Sequence, residues 1–310
     1  MKLNKFTTVD VIEKGKPTLI MRYYDYETKF KGIIVFIHGV SHGAWCWEYF
    51  ADYFSKIGYS CFAINLRGHG DDNKNKKGTL KKYVDDVSRC IDYCKIYCKN
   101  NNKPYSKPSV LGHSMGGAIV EIYMNEHTNQ IKNAILFAPA TAQGIKLSAI
   151  TSTISKTGLY TTPTITGAKT NKHLAESNFF VAKTDNRNFV PRITDKKELE
   201  LYDEQLCSEN IIALLGLICY TLNKPNIPIF VIGSDKDAYF PTKSLHKTAS
   251  FYDTKEMVLR GLCHDMMLDP ERDKAAQSIL EFIKHPEDLK NNPEKFINNL
   301  EQKLYSIDNK

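Results

Sequence analysis

The stretch Gly112-His113-Ser114-Met115-Gly116 lies between a short apolar run, Ser109-Val110-Leu111, and a helical pattern that begins Gly117-Ala118-Ile119-Val120-Glu121-Ile122-Tyr123. It fits G-x-S-x-G, in which a serine is held on a sharp strand-to-helix turn so that its hydroxyl stands clear of a sheet. Side chains two positions either side of the serine would collide in such a turn, which is why glycine is needed there. At ~7% usage for each of its three residues, the bare pattern arises by chance about 0.1 times in a chain of this length. The strand before it and the helix after it make it more specific. The helix start also has a chemical use, because its free N–H groups can meet developing negative charge.

Outward from this turn, from Gly32 onward, apolar runs alternate with helical patterns, the rhythm of βαβ units around a mainly parallel sheet flanked by helices. Strands are expected from Gly32 to Ile37, Tyr59 to Leu66, Ser109 to Gly112 and Asn133 to Ala138, with helices from Trp45 to Ile57, Thr79 to Lys99 and Met115 to about His127. Thr79 is read as the cap of its helix. Leu80, Val84, Val87, Cys90, Ile91, Cys94 and Cys98 share one face of that helix, so the three cysteines are read as part of a buried stripe rather than as metal ligands. The rhythm lapses from about Thr141 to Asn223 and resumes with strands from Pro228 to Ile232 and Lys255 to Leu259, then a helix from about Asp273 to Lys284. The expected organisation is an α/β core of residues 1–140 and 224–283, an inserted, mostly helical cap of residues 141–223, and a charged C-terminal helix or tail over 284–310.

A serine hydroxyl is a weak nucleophile at neutral pH and needs a base, a residue to orient that base, and donors for an oxyanion. On this architecture the chain order is Ser, then Asp or Glu, then His, with the acid and base in loops after strands. His264, in Gly261-Leu262-Cys263-His264, follows the last strand and is the candidate base. Asp235 and Asp237 both follow the preceding strand; Pro241, four residues after Asp237, favours Asp237. His38 and His42 flank the first loop as packing or hydrogen-bonding residues that also border the substrate region. His113 is a neighbour of the nucleophile and His69 a turn residue. Phe179 and Phe180, with Val181, Phe189 and Val190, either line an apolar acyl pocket or pack the cap onto the core.

With these residues in view, the chain resembles the α/β-hydrolase-fold serine hydrolases. The resemblance is carried in order by His38-Gly39, His42-Gly43-Ala44-Trp45-Cys46-Trp47, Asn65-Leu66-Arg67-Gly68-His69-Gly70, Gly112 to Gly117, Asp237 to Pro241, and His264-Asp265-Met266-Met267-Leu268-Asp269. It covers residues 30 to 283 and implies a Ser114, Asp237, His264 triad, with oxyanion donors from the backbone N–H groups of Val40 and Met115. Trp45 and Trp47 are then packing residues near the pocket. The chain departs from the family pattern at Asn65, at Asp71-Asp72 and at Ser234. The His42-Gly-Ala-Trp piece is similar to methylesterases and hydroxynitrile lyases, whereas Leu66 to Gly70 and Gly112 to Gly117 look like monoglyceride lipases and related esterases.

The expected activity is hydrolysis of a small, lipid-like carboxylic ester or thioester through an acyl-enzyme. Acyl transfer, suggested by the H-x4-D spacing of His264 and Asp269, a lyase, and a ligand-binding protein without turnover are the alternatives. No metal or organic cofactor is expected, since the sequence lacks H-E-x-x-H, G-x-x-x-x-G-K-[ST] and a G-x-G-x-x-G after a strand. The 310 residues, 42% hydrophobic and 25% charged, describe an ordinary globular protein rather than a disordered one. The net charge of +7 is concentrated between Asp71 and Lys107, with ten basic and five acidic residues. Read as a solvated loop, this stretch implies weak peripheral contact with an anionic membrane at most, and no nucleic acid. Neither a secretory leader nor a membrane span is expected, and eight cysteines without a framework spacing point to a reducing, cytoplasmic compartment.

Overall fold

The computed structural model describes residues 6–25, 29–72, 77–144, 181–183, 189–207 and 209–306. The chain enters as two antiparallel strands, β1 (Thr7–Val11) and β2 (Leu19–Tyr24), before β3 (Gly32–Ile37) begins the alternation. A 3-10 turn at Ala44–Trp47 leads into α1 (Glu48–Lys56) and β4 (Tyr59–Ile64). Next come α2 (Leu80–Asn100), β5 (Ser109–His113), α3 (Met115–His127) and β6 (Asn133–Phe137). Within the inserted region, β7 (Val181–Lys183) and β8 (Phe189–Pro191) form a hairpin, followed by α4 (Lys196–Gln205) and α5 (Ile211–Gly216). The core resumes with β9 (Ile229–Ser234), α6 (Thr242–Phe251), β10 (Glu256–Leu259) and α7 (Arg272–Lys284), and then α8 (Pro286–Asn291) and α9 (Pro293–Tyr305).

Eight strands form one sheet in the order β1-β2-β4-β3-β5-β6-β9-β10. From β4 to β10 every pairing is parallel, and β2 runs antiparallel to both its neighbours. The central strands are buried along their whole length, which is why they read as continuous apolar runs. The register pairs Ile37 with Gly112 and Gly112 with Leu136, so the loops after β3, β5, β6 and β9 leave from the same end of the sheet. That carboxyl end is where ligands bind in open α/β sheets.

Two apolar layers cover the sheet. One contains Phe36, Trp47, Phe50, Phe54, Phe137, Phe230 and Phe282. The other contains Val87, Cys90, Cys94 and Cys98 of α2 with Ile119 and Tyr123 of α3, so the cysteine stripe is core. Each buried phenylalanine contributes about 1.5–3 kcal/mol relative to exposure. One expectation needs correction: Thr79 stands at the N-cap of α2 in extended conformation, but its side chain makes no capping bond. The C-terminal segment is two helices, and α9 has a buried face. Its Phe296, Ile297 and Leu300 join the first layer, where Phe230 stacks on Phe282 at 5.1 Å and meets Phe296 edge-on at 6.3 Å. No helix among the described residues is long and apolar enough to cross a membrane.

Candidate active site

Ser114 sits at the junction of β5 and α3 with φ 53° and ψ −116°, a conformation that costs a non-glycine residue about 1–3 kcal/mol. Three backbone bonds hold it there. Its N–H donates to Phe137 O at 3.1 Å, and its carbonyl accepts from Gly117 N at 2.9 Å and Ala140 N at 3.1 Å. The flanking glycines are steric necessities: a Cβ on Gly112 would lie 2.2 Å from Gly116 O, and one on Gly116 would lie 2.5 Å from Ile37 O. The loop after β3 presses against this turn, because a Cβ on Gly39 would be 2.9 Å from Ser114 Cβ. Val40 follows in that loop, and Met115 opens α3, whose first N–H groups lack partners within the helix.

The loop after β9 separates the two candidate acids. Asp237 Oδ1 accepts from Tyr239 N at 2.7 Å and Phe240 N at 3.0 Å, and its Oδ2 lies 2.7 Å from His264 Nδ1. Asp235 accepts Gly261 N–H at 2.7 Å and contributes to the turn instead. Ser234, one of the departures from the family pattern, donates to Leu262 O at 2.7 Å and so ties the end of β9 to the histidine loop. His264 is fully buried beneath the rings of Tyr239 and Phe240 and beside His113. Burial opposes its charged form, but the charge and hydrogen bond of Asp237, with the charge of Asp265, outweigh it and hold the imidazole above its usual value.

His38 and His42 hold hydrogen-bonded positions around the loop after β3. Both are fully buried. His38 Nδ1 donates to Gly39 O at 2.8 Å and its Nε2 accepts from Leu66 N at 3.1 Å. These bonds fix the Nδ1–H tautomer, and burial, followed by the nearby His69, keeps the ring well below the usual imidazole range. Gly39 C=O and Val40 N–H share one peptide plane, so this bond also sets the direction of the Val40 donor. His42 places Nδ1 2.6 Å from Val40 O and Nε2 2.8 Å from Asp265 Oδ2, with Trp45 stacked on its ring at 5.3 Å. Phe179 and Phe180 lie outside the described residues, as do the side chains of Val181, Phe189 and Val190.

Several contributors had no assigned role in the sequence. Asp265 is fully buried, and its only signal was an acid directly after His264. His113, His264 and Asp265 bring ligand-type atoms within 4.8 Å of one another. In this trio His264 is bonded to Asp237, Asp265 to His42, and His113 Nε2 lies 3.3 Å from His264 O. Asp269, the acid of the H-x4-D spacing, accepts Cys263 N–H and Glu271 N–H, each at 2.9 Å, and pairs with Arg192 from the inserted region. It therefore anchors a loop and a neighbouring segment. Glu209 does the same further along: it is fully buried and accepts from His69, Tyr83 and Asn210 N. Between these anchors Cys207 N donates to Ser41 O at 2.9 Å, attaching the inserted region to the β3 loop.

A family model described as serine aminopeptidase, S33 matches residues 28–271. The chain is 23% identical over 277 residues to a monoacylglycerol lipase of Mycolicibacterium smegmatis, covering 87% of this chain and 94% of the relative. It is 30% identical over 111 residues to methylesterase 1 of Arabidopsis thaliana, covering 35% of this chain and 40% of that protein. A thermophilic esterase from Thermogutta terrifontis shares the fold, with TM-score 0.68 and 15% identity over 90% of this chain and 98% of its own.

Proposed function

The chain belongs to the serine aminopeptidase S33 family of α/β hydrolases, and on that premise we propose that it is a serine esterase that cleaves a small, lipid-like acyl ester through an acyl-enzyme. The observation that carries this reading is the buried 2.7 Å contact between His264 Nδ1 and Asp237 Oδ2, in a loop cluster shared with the strained Ser114. In the proposed first step Ser114 Oγ bonds to the ester carbonyl carbon while its proton passes to His264 Nε2. Asp237 keeps the ring oriented and supports the imidazolium that forms. The carbonyl electrons move onto oxygen, where the N–H groups of Val40 and Met115 receive them. Collapse expels the alcohol, which takes the proton from His264. Water then repeats the sequence and releases the acid.

The near full-length relative named as a monoacylglycerol lipase supports an acyl-glycerol or similar lipid ester as the substrate class. A screen of p-nitrophenyl esters of rising chain length, with monoacylglycerol and an aminoacyl amide alongside, tests both bond type and chain preference. Ester turnover and fluorophosphonate labelling are expected in the native protein, and neither in Ser114→Ala. Undiminished turnover in a folded Ser114→Ala protein refutes the reading.

A further inference from the structure

We infer that the buried His42–Asp265 pair is a positioning device that locks the oxyanion loop to the loop of the catalytic base. Resting on the roles proposed above for Val40 and His264, this deepens that reading by adding residues that act without touching substrate. His42 Nδ1 is 2.6 Å from Val40 O, and a carbonyl only accepts, so this nitrogen carries a proton. Nε2 is 2.8 Å from Asp265 Oδ2, so a second proton lies between imidazole and carboxylate. Neither side chain reaches solvent. Burial raises the carboxyl of Asp265, but the charge and hydrogen bond of His42, with His113 and His264 nearby, outweigh it and hold it below the ordinary carboxylate range.

The loop needs such a device. Ser41 has φ 66°, a left-handed conformation for a residue with a Cβ, directly after Val40. Strain of this kind persists only where surrounding bonds over-determine it. The peptide before Val40 is held by His38 through Gly39 O, and the peptide after it by His42 through Val40 O. Cys207 N–H takes the next carbonyl, that of Ser41. Only His42 continues across to the base: Asp265 is covalently next to His264, and its Oδ1 lies 3.5 Å from His113 Nε2, which in turn faces His264 O. A shift of the β3 loop relative to His264 therefore breaks the buried His42–Asp265 contact. Stacking of Trp45 on the His42 ring at an interplanar angle of 20° resists rotation out of this geometry.

The test compares Asp265→Ala, Asp265→Asn and His42→Gln with the native enzyme and with Ser114→Ala, using p-nitrophenyl ester and active-site titration. Loss of positional precision on this scale is expected to lower kcat about 10²-fold while KM stays near its native value. Asp265→Asn, whose amide can still donate to His42 Nε2, is expected to recover most of the rate. If Asp265→Ala does not fold, His42→Gln, which keeps a partner for Asp265 but loses the donor to Val40, is expected to show the same fall in kcat. Native kcat per titrated site in folded Asp265→Ala or His42→Gln overturns the inference. An independent readout needs no turnover: the native protein in neutral buffer is expected to show two slowly exchanging ring N–H signals that vanish in His42→Gln. Absence of the Nδ1-bound proton overturns the inference. Native protein without ester turnover, or Ser114→Ala with it, instead refutes the esterase reading and leaves the ring signals to decide this one.

Discussion

Glu121 sits fully buried in the helix that follows Ser114, accepting from Tyr220 at 2.8 Å and Tyr252 at 3.1 Å. Burial outweighs both hydroxyl donors and pushes its carboxyl up to about 8 from an ordinary 4.5. The surroundings also accommodate a neutral acid: once Glu121 is protonated, its O–H can reverse the 2.8 Å contact and donate to Tyr220, whose own O–H then goes to Thr141 O at 3.3 Å, while Tyr252 still donates to the remaining oxygen. Glutamine reproduces that chain with an N–H in place of the O–H. An acid whose folded value lies above its unfolded value favours the fold below the unfolded value, and loses that advantage as pH rises through the folded one. Here the window runs from about 4.5 to about 8. At about 1.4 kcal/mol per unit, the loss over that window has a ceiling of about 5 kcal/mol. Glu121→Gln is expected to match the native protein near pH 4.5 and to exceed it by several kcal/mol at pH 8.5. Urea unfolding followed by the fluorescence of Trp45 and Trp47 measures both. A difference between variants that changes by less than about 1 kcal/mol across the window refutes a neutral Glu121.

Three further outcomes follow from the site. Asp237→Asn is expected to lower kcat by about 10⁴, as loss of a triad acid does, while Asp235→Asn stays near native; equal effects would remove the distinction drawn from the 2.7 Å contact. Protonated His264 cannot take the serine proton, so kcat/KM is expected to fall on the acid side with a midpoint above the ordinary imidazole value of about 6.5. A midpoint below that value contradicts the support assigned to Asp237 and Asp265. Gly116→Ala drives a Cβ to 2.5 Å from Ile37 O and is expected to destabilise the fold by about 1–3 kcal/mol. Unchanged unfolding would show that the β3 end can move.

The central sheet and the turn at Ser114 were legible because they depend on local pattern: β-branched runs, glycines two residues either side of a serine, a helix following at once. His264 was legible from its place after the last strand. Asp235 and Asp237 lie in one loop, and Pro241 alone favoured Asp237 in the sequence; the 2.7 Å contact of Asp237 with the imidazole of His264 joins separate loops and leaves no local spacing to read. Thr79 marked the start of α2, but its hydroxyl was credited with a bond it does not make. β1, half-exposed at the sheet edge with Thr-Thr-Val-Asp-Val, carries too little alternation to announce itself. The pairings of His42 with Asp265 and of His69 with Glu209 were not legible, because partners so far apart in sequence impose no local spacing.

The parallel pairing of β6 with β9 means that the chain leaves the sheet at Phe137, builds the whole inserted region, and returns to the adjacent position at Ile229. Joining two fixed points through a long segment is governed by a logarithm, so doubling its length adds only about 0.6 kcal/mol of closure entropy. Insertions and deletions between these two strands are therefore nearly free for the scaffold, provided that the anchors at Arg192, Cys207 and Glu209 survive. This junction gives evolution a place to lengthen or shorten the connection between β6 and β9 while leaving the strained turn at Ser114 untouched.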